Sequence, residues 1–493
     1  MKKVNLIAML SLFAVSCSTK SNDYQAEKEK NILAVSDIHY NPFSLCDTEK
    51  AENKLSAVDS KCNALMKELN SSKAEEWDNI FAKYLTTEKI SSLKTNTNHS
   101  LYQKFLVQLE TVAKSENIDF VVILGDFLTH GFHQKLNDYA KLTQQNEIES
   151  FIKKTFEYIS LTVNAKLPKD VEAFPVIGNN DSYGANYKFD NPNTSSFYKD
   201  LSIIWGSNAK QLLKSKTFVS EGGYYSINLN DKKLSIVALN TNMLSKKAHA
   251  DAGVDIDSSA KNQLNWLSDL LNTPKKTDSN EKATSDNKDE SRIPEENKVL
   301  VISHIPNGID GYASSVANDG SAVPFWRELH SNSYLNILKT NSEKISTILV
   351  GHTHHDGFQK LDDTKKLYSS SVPSLTAVRN NPGFKVFKLN KENVLVNSTV
   401  HYYDLNEQKW AENPKPFTEF SPSAGHVSHG YEILLDAWSK DTDQADEHYL
   451  KRFVLNADHS DLVQRWKHYV CAAGSGMTIK DFNDCYKKVT EKK

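Results

Sequence analysis

The chain predicts a layered α/β protein with two packed sheets. Short apolar runs alternate with amphipathic stretches from residue 31 to 350, and short alternating segments follow beyond residue 356. Ligand-type polar residues stand directly after several of the apolar runs, at the strand ends where α/β sheets bind their ligands.

Residues 31–36 (NILAVS) read as a buried strand, 100–116 as a helix and 118–124 (IDFVVIL) as the next strand. A helical stretch over 134–165 precedes a strand at 173–177. Two hairpin-like strands follow, Tyr224–Leu229 and Leu234–Leu239, joined by Asn230-Asp231-Lys232. A helix at 260–271 leads to strands 298–303 and 345–350. The segments Gly357–Leu361, Lys366–Ser371, Phe384–Leu389 and Val394–Val400 read as a meander. Residues 274–298 hold no large apolar side chain except Ile293, so they are expected to be a disordered insertion. The aromatic-rich, helically patterned 406–493 predicts a C-terminal helical subdomain after a catalytic domain at 31–405.

At 493 residues, with 39% hydrophobic and 25% charged, the composition is that of a globular protein with ample core. The net charge of −3 supplies no basic field for nucleic acid. Only five arginines occur (Arg292, Arg327, Arg379, Arg452, Arg465), so guanidinium clamps on phosphate are scarce. Lys2-Lys3, the apolar 4–15 and Ser16-Cys17 form an export signal over 1–17, too short to span a bilayer. Its end, Ala14-Val15-Ser16-Cys17, matches a lipoprotein signal with Cys17 acylated, although Ala14 departs from the usual Leu. Residues 18–30 would be a polar tether. The expected location is the periplasm, as an outer-membrane-anchored lipoprotein, or the secreted fraction. The remaining four cysteines allow three pairings in an oxidising compartment. Nearest neighbours would join Cys46 to Cys62 and Cys471 to Cys485.

The chemistry lies in five fragments: Asp37-Ile-His39, Gly125-Asp126, Gly178-Asn179-Asn180-Asp181, Ser303-His304 and Gly351-His352-Thr-His354. Each alone has an ordinary explanation: a loop cap, a turn, a surface histidine. A carboxylate at a buried strand end is costly without a partner, and two imidazoles on one short loop are a metal signal. Together they hold the inventory for two divalent metals sharing a carboxylate, the arrangement that clamps both oxygens of a phosphoryl displacement.

These strings resemble those of the calcineurin-like metallophosphoesterases, and within them the acid sphingomyelinase-like phosphodiesterases. Gly125-Asp126-Phe-Leu-Thr-His130, Ser303-His304-Ile-Pro306-Asn-Gly308, Gly351-His352-Thr-His354-His-Asp-Gly-Phe358 and Asn381-Pro382-Gly383-Phe384 carry the likeness. It implies a four-layer α/β/β/α sandwich with a C-terminal helical extension. It also implies one metal on Asp37, His39, Asp126 and His354, and a second on Asp126, Asn179, His304 and His352. Zinc is the expected ion, with manganese or iron as alternatives. The implied reaction is attack on phosphorus by a hydroxide bridging the ions, with His130 serving the leaving oxygen. The Cys471–Cys485 pairing also resembles the subgroup's C-terminal disulfide.

Two departures shape the substrate expectation. The family usually has His after the ligand Asn; here it is Asn180, which can hydrogen-bond a phosphoryl oxygen but cannot supply a proton. Fungal endopolyphosphatases are similar in reading Asn-Asn-Asp there. No lipid-presenting domain fits between Cys17 and Asn31, so a small soluble phosphodiester or nucleotide is expected over a membrane lipid. Tyr183, Asn240, Asn242 and His355 are candidate cleft residues. The expected protein is thus an exported monomeric phosphohydrolase; the alternatives are a polyphosphate hydrolase or a silent binding lipoprotein, the latter disfavoured by seven intact ligands.

Overall fold

The computed structural model describes residues 28–55, 60–207, 209–272, 292–317, 321–412, 416–417, 426–440, 450–458 and 460–491. The expected signal, Cys17, most of the expected tether and most of the expected insertion lie outside the described residues. Two six-stranded mixed sheets form the centre, with helices on their outer faces. The first runs β12-β11-β10-β1-β2-β3. Its strands are β1 (Lys30–Val35), β2 (Phe120–Ile123), β3 (Ala173–Pro175), β10 (Gly383–Leu389), β11 (Leu395–Asp404) and β12 (Lys409–Trp410). The second runs β4-β5-β6-β7-β9-β8. It contains β4 (Tyr225–Leu229), β5 (Leu234–Leu239), β6 (Lys298–Ser303), β7 (Ile345–Val350), β8 (Phe358–Asp362) and β9 (Leu367–Ser371).

The apolar runs explain the centres. β1, β2 and β3 pair in parallel, as do β5, β6 and β7. Strands covered on both faces read as continuous apolar sequence, and Val121, Val122, Val301 and Ile302 are all fully buried. The helix His99–Ser115 lies against the first sheet, with Phe105 edge-on to Phe384 of β10. The helix Ile256–Asn272 meets the end of β5, where Gln263 and the Asn240 backbone exchange two hydrogen bonds.

The structure redraws several expected boundaries. The helix expected over 134–165 is broken: Lys141 adopts a left-handed φ of 56°, and the long helix starts only at Gln145. Tyr139, before the break, is buried with its hydroxyl donating to Asp47 at 2.8 Å. The expected insertion ends early, since Ile293 is buried and Lys298 already pairs with Leu234. The boundary at 405/406 falls inside a hairpin, because β12 pairs with β11 and Trp410 packs on Phe384.

Disulfides join Cys46 to Cys62 and Cys471 to Cys485. The second ties the helix Ser460–Ser475 to Ile479–Glu491. Around it Ile309, Ala472 and Phe482 bury a small core of their own. Among the described residues no helix is long and apolar enough to cross a membrane.

Candidate metal centre

Every predicted ligand sits on a loop leaving the carboxyl end of a strand. Asp37 and His39 follow β1, Asp126 follows β2, Asn179 follows β3, His304 follows β6, and His352 and His354 follow β7. Two parallel trios therefore point their ends at one place. The loops are laced together by backbone hydrogen bonds: Asp37 N donates to Gly125 O (3.0 Å), His39 N to Asp126 O (2.9 Å) and Gly351 N to His304 O (2.9 Å). The turns are tight. Asp37, His39, Asp126, His352 and His354 all have φ between 42° and 68°. That left-handed region costs a non-glycine residue about 1 kcal/mol or more, an expense characteristic of functional sites. A Cβ on Gly178 would lie 2.2 Å from both the Asp126 nitrogen and its Oδ1, so this glycine admits the Asp126 loop.

The side chains converge. Asp126 Oδ2 lies 3.5 Å from His39 Nε2 and 3.3 Å from His304 Nε2. Asp37 Oδ1 is 3.4 Å from His354 Nε2 and 3.7 Å from His39 Nε2, and Asn179 Oδ1 is 3.0 Å from His304 Nε2. Two donors each about 2.1 Å from one ion stand roughly 3.0–3.4 Å apart, which these spacings approach. Asp37 Oδ1 and His39 Nε2 are buried without a hydrogen-bond partner. Unpaired polar atoms in a buried position are expensive, and a divalent cation between them would satisfy both. The donor set of imidazole, carboxylate and amide oxygen fits zinc, manganese or iron.

The histidine tautomers follow from their outer partners. His39, His304 and His354 each direct Nδ1 at a backbone carbonyl, of Leu128 (2.9 Å), Leu124 (2.6 Å) and Val378 (3.0 Å). A carbonyl only accepts, so Nδ1 carries the hydrogen, and Nε2 is the atom turned inward, its lone pair available to a ligand when that nitrogen is unprotonated. Burial opposes ionisation of Asp37, yet His354 and His304 hold it well below the ordinary carboxylate value. Burial likewise works against charge on His304, but Asp126 and Asp37 raise it to about 9. Burial and the neighbouring His304 push His352 down to about 3.

Of the two predicted catalytic residues, His130 stacks on His39 with ring centroids 3.8 Å apart, and its Nδ1 lies 2.6 Å from Asn96 Oδ1. Burial, with His39 and His354, pushes His130 down to about 2, so it is a neutral ring with Nε2 free as an acceptor. It can therefore donate a proton only after gaining one. Asn180 is committed inward: its backbone N donates to Asp126 Oδ1 and its Nδ2 to Asp126 Oδ2, both at 2.7 Å. It fixes the orientation of that carboxylate, a different task from the expected contact with phosphoryl oxygen.

The cleft residues divide. His355 does line the cavity, stacked on Phe453 at 4.2 Å. Tyr183 does not: its ring packs edge-on to Phe197 and its hydroxyl donates to Asp200 at 3.0 Å. Asn240 and Asn242 are buried, with Asn240 bonded to Gly222 O (2.8 Å) and to the Asn242 nitrogen (3.1 Å). Polar loop residues after a ligand motif look alike in sequence, and only the backbone groups they satisfy distinguish them. The sequence reading missed Asn186, whose Oδ1 accepts from Asn179 Nδ2 (2.8 Å) and so turns the Asn179 oxygen inward. It also missed Asp181 as an organiser, which accepts backbone N–H groups from Gly178, Asp126, Phe127 and Leu128.

The centre opens into a cavity of about 370 Å³ whose walls include Tyr187, Lys247, Tyr312, Phe325, Arg379 and Tyr469. Two sheets delivering this donor set to one cleft define a metal-dependent phosphoesterase, a hydrolase. Calcineurin-like phosphoesterase sequences match residues 30–356, and the chain belongs to that family. It is 24% identical over 350 residues to the cyclic GMP-AMP phosphodiesterase SMPDL3A of Bos taurus, covering 67% of this chain and 70% of that protein. It is 20% identical over 381 residues to the acid sphingomyelinase-like phosphodiesterase 3b of Mus musculus, covering 74% of this chain and 71% of the relative. A purple acid phosphatase structure from Lupinus luteus aligns at 10% identity and a TM-score of 0.33, over 79% of this chain and 54% of that one.

Proposed function

We propose that the protein is an exported, dinuclear-metal phosphohydrolase that cleaves phosphodiester or nucleotide phosphoanhydride bonds in small soluble substrates. The observation that carries this is the position of Asp126: its Oδ2 faces both His39 Nε2 (3.5 Å) and His304 Nε2 (3.3 Å), so one carboxylate is within reach of both proposed ligand sets. Asp37, His39, Asp126 and His354 would hold one ion, and Asp126, Asn179, His304 and His352 the other. When bound, the pair would supply charge for the phosphoryl oxygens and an acidified water as nucleophile. Asn180 fixes the orientation of the Asp126 carboxylate that would be shared, and Asn186 keeps the Asn179 oxygen turned inward. His130, stacked over His39 in the cavity, would serve the leaving oxygen once it has gained a proton; its position beside the proposed ligands supports that role. A nucleotide diester is favoured by the cyclic GMP-AMP phosphodiesterases among the relatives. Export, with Cys17 as lipid anchor, is supported by the two disulfides, since such bonds persist in oxidising compartments.

The test is phosphorus-31 NMR of zinc-loaded protein lacking residues 1–17, mixed with a cyclic dinucleotide, ATP, a choline phosphodiester and polyphosphate. Wild type should deplete the nucleotide resonances, and Asp126→Asn should lose at least about 10³ in rate together with bound metal. Full activity in Asp126→Asn with lowered metal content would refute the shared-carboxylate mechanism.

A further inference from the structure

The cavity does not end at the metal centre. Beyond His355 it continues into a second chamber of about 250 Å³, and both share Tyr312, His355, Val378, Arg379 and Tyr469 as walls. At the junction the Arg379 guanidinium lies on the Tyr312 ring, 3.9 Å from its centroid, and Arg465 approaches the same ring at 5.3 Å. Two of the chain's five arginines thus meet on one aromatic platform. Among the described residues neither makes an ion pair. Of the acids that share the walls, Asp310 accepts from Ala313 N (3.0 Å) and feels the Arg379 charge without an ion-pair contact, and Asp458 accepts from Ser460 N (3.1 Å). Lys94 adds a third cation to the outer chamber. Arg379 also has a left-handed φ of 79°, a strained setting for a non-glycine residue at a cleft wall.

We propose that the Arg379–Tyr312–Arg465 stack is a subsite for a second phosphate group, one not cleaved in the turnover, so that the preferred substrates carry two phosphates. A guanidinium resting on an aromatic face keeps its edge N–H donors free and loses little entropy on binding a planar or tetrahedral oxyanion. Tyr312 and Arg379 line both the cavity of the metal centre and the outer chamber, while Arg465 lines the outer chamber alone, so a phosphate at the centre leaves room for another to reach the arginines. This inference rests on the phosphohydrolase reading for the identity of the first site, and the test separates the two.

Binding of ADP, as its non-hydrolysable α,β-methylene analogue, and of AMP is measured by calorimetry on zinc-loaded protein, where the centre can take one phosphate of either ligand. Wild type should bind ADP about tenfold more tightly than AMP. In Arg379→Gln/Arg465→Gln, which keeps the aliphatic arms, the ratio should fall to within about twofold, with each single variant intermediate. A wild type that does not discriminate, or a double variant that still does, overturns the subsite. Failure of the phosphohydrolase reading would show separately, as unchanged phosphorus-31 spectra with metal-loaded wild type.

Discussion

Asp356 lies two residues beyond His354 and joins the metal loop to both a strand and the C-terminal segment. Its Oδ1 accepts from Lys385 of β10 at 2.6 Å, and its Oδ2 stands 2.7 Å from Arg452 Nε. All three side chains are at most 8% exposed. Burial lowers the Lys385 pKa, with Asp356 opposing. Asp356→Asn removes the one negative charge that Lys385 and Arg452 share. Breaking a buried ion pair typically costs 3–5 kcal/mol. The amide still offers one acceptor, and Arg452 keeps Phe417 at 5.4 Å, so we expect about 3–4 kcal/mol. That is a factor of several hundred in the unfolding constant, at about 1.4 kcal/mol per tenfold. Urea denaturation followed by tryptophan fluorescence reads it as a lower midpoint at unchanged slope. Metal affinity should fall too, because Asp356 N donates to Phe453 O and the loop's outer anchor loosens. Asp356→Leu/Lys385→Met/Arg452→Met should recover most of the stability, since apolar replacements of buried triads are tolerated. A loss below 1 kcal/mol in Asp356→Asn would refute the claim that this triad secures the loop.

Gly178→Ala should abolish activity or soluble expression, because its Cβ meets backbone and carboxylate of Asp126 at 2.2 Å; a soluble, active variant would contradict the packing. Asn186→Ala should weaken metal binding by about 10–100-fold by freeing the Asn179 amide, as outer partners of ligands commonly do; chelator competition measures it. The pH dependence has a definite sign in the metal-free protein. His304 is raised to about 9 from an ordinary 6.5, so its stabilising contribution is complete below about 6.5 and lost as pH rises through about 9. An incoming ion must displace that proton. Metal affinity should therefore climb between pH 6.5 and 9, approaching tenfold per unit, while the metal-free melting temperature falls. Affinity independent of pH across that window would count against His304 as a ligand.

The strands and the seven convergent side chains were readable because their signals are local. An apolar run long enough for a buried strand, followed at once by Asp, Asn or His, states both the element and the place of the ligand. The orienting residues were not readable. Asn186 acts by pointing one oxygen at Asn179, and nothing in its own neighbourhood separates it from Asn240, whose side chain bonds Gly222 and Asn242 instead. Asn180 was assigned to the substrate, but the tight approach of the Gly178 and Asp126 loops gives its amide to the carboxylate. The break at Lys141 escaped because its residues retain helical composition, while long-range burial of Tyr139 beside Asp47 decides the path. The outer chamber assembles residues 94, 312, 379 and 465, a combination that only the folded chain brings together.

The order of strands in the first sheet also bears on how the chain is made. β1 is the first of the described strands to be synthesised, yet it lies at the sheet's centre, with β2 on one side and β10 on the other, Lys30 opposite Leu389. At ribosomal rates of about 5–20 residues per second, roughly 20–70 s separate the emergence of the two partners. Throughout that interval one side of β1 is an open edge of unpaired amides beside apolar residues, the kind of template on which nascent chains aggregate. The sheet therefore cannot be completed vectorially during translation, and a factor that keeps the chain unfolded until residue 389 has been made would raise its yield more than one that hastens early collapse.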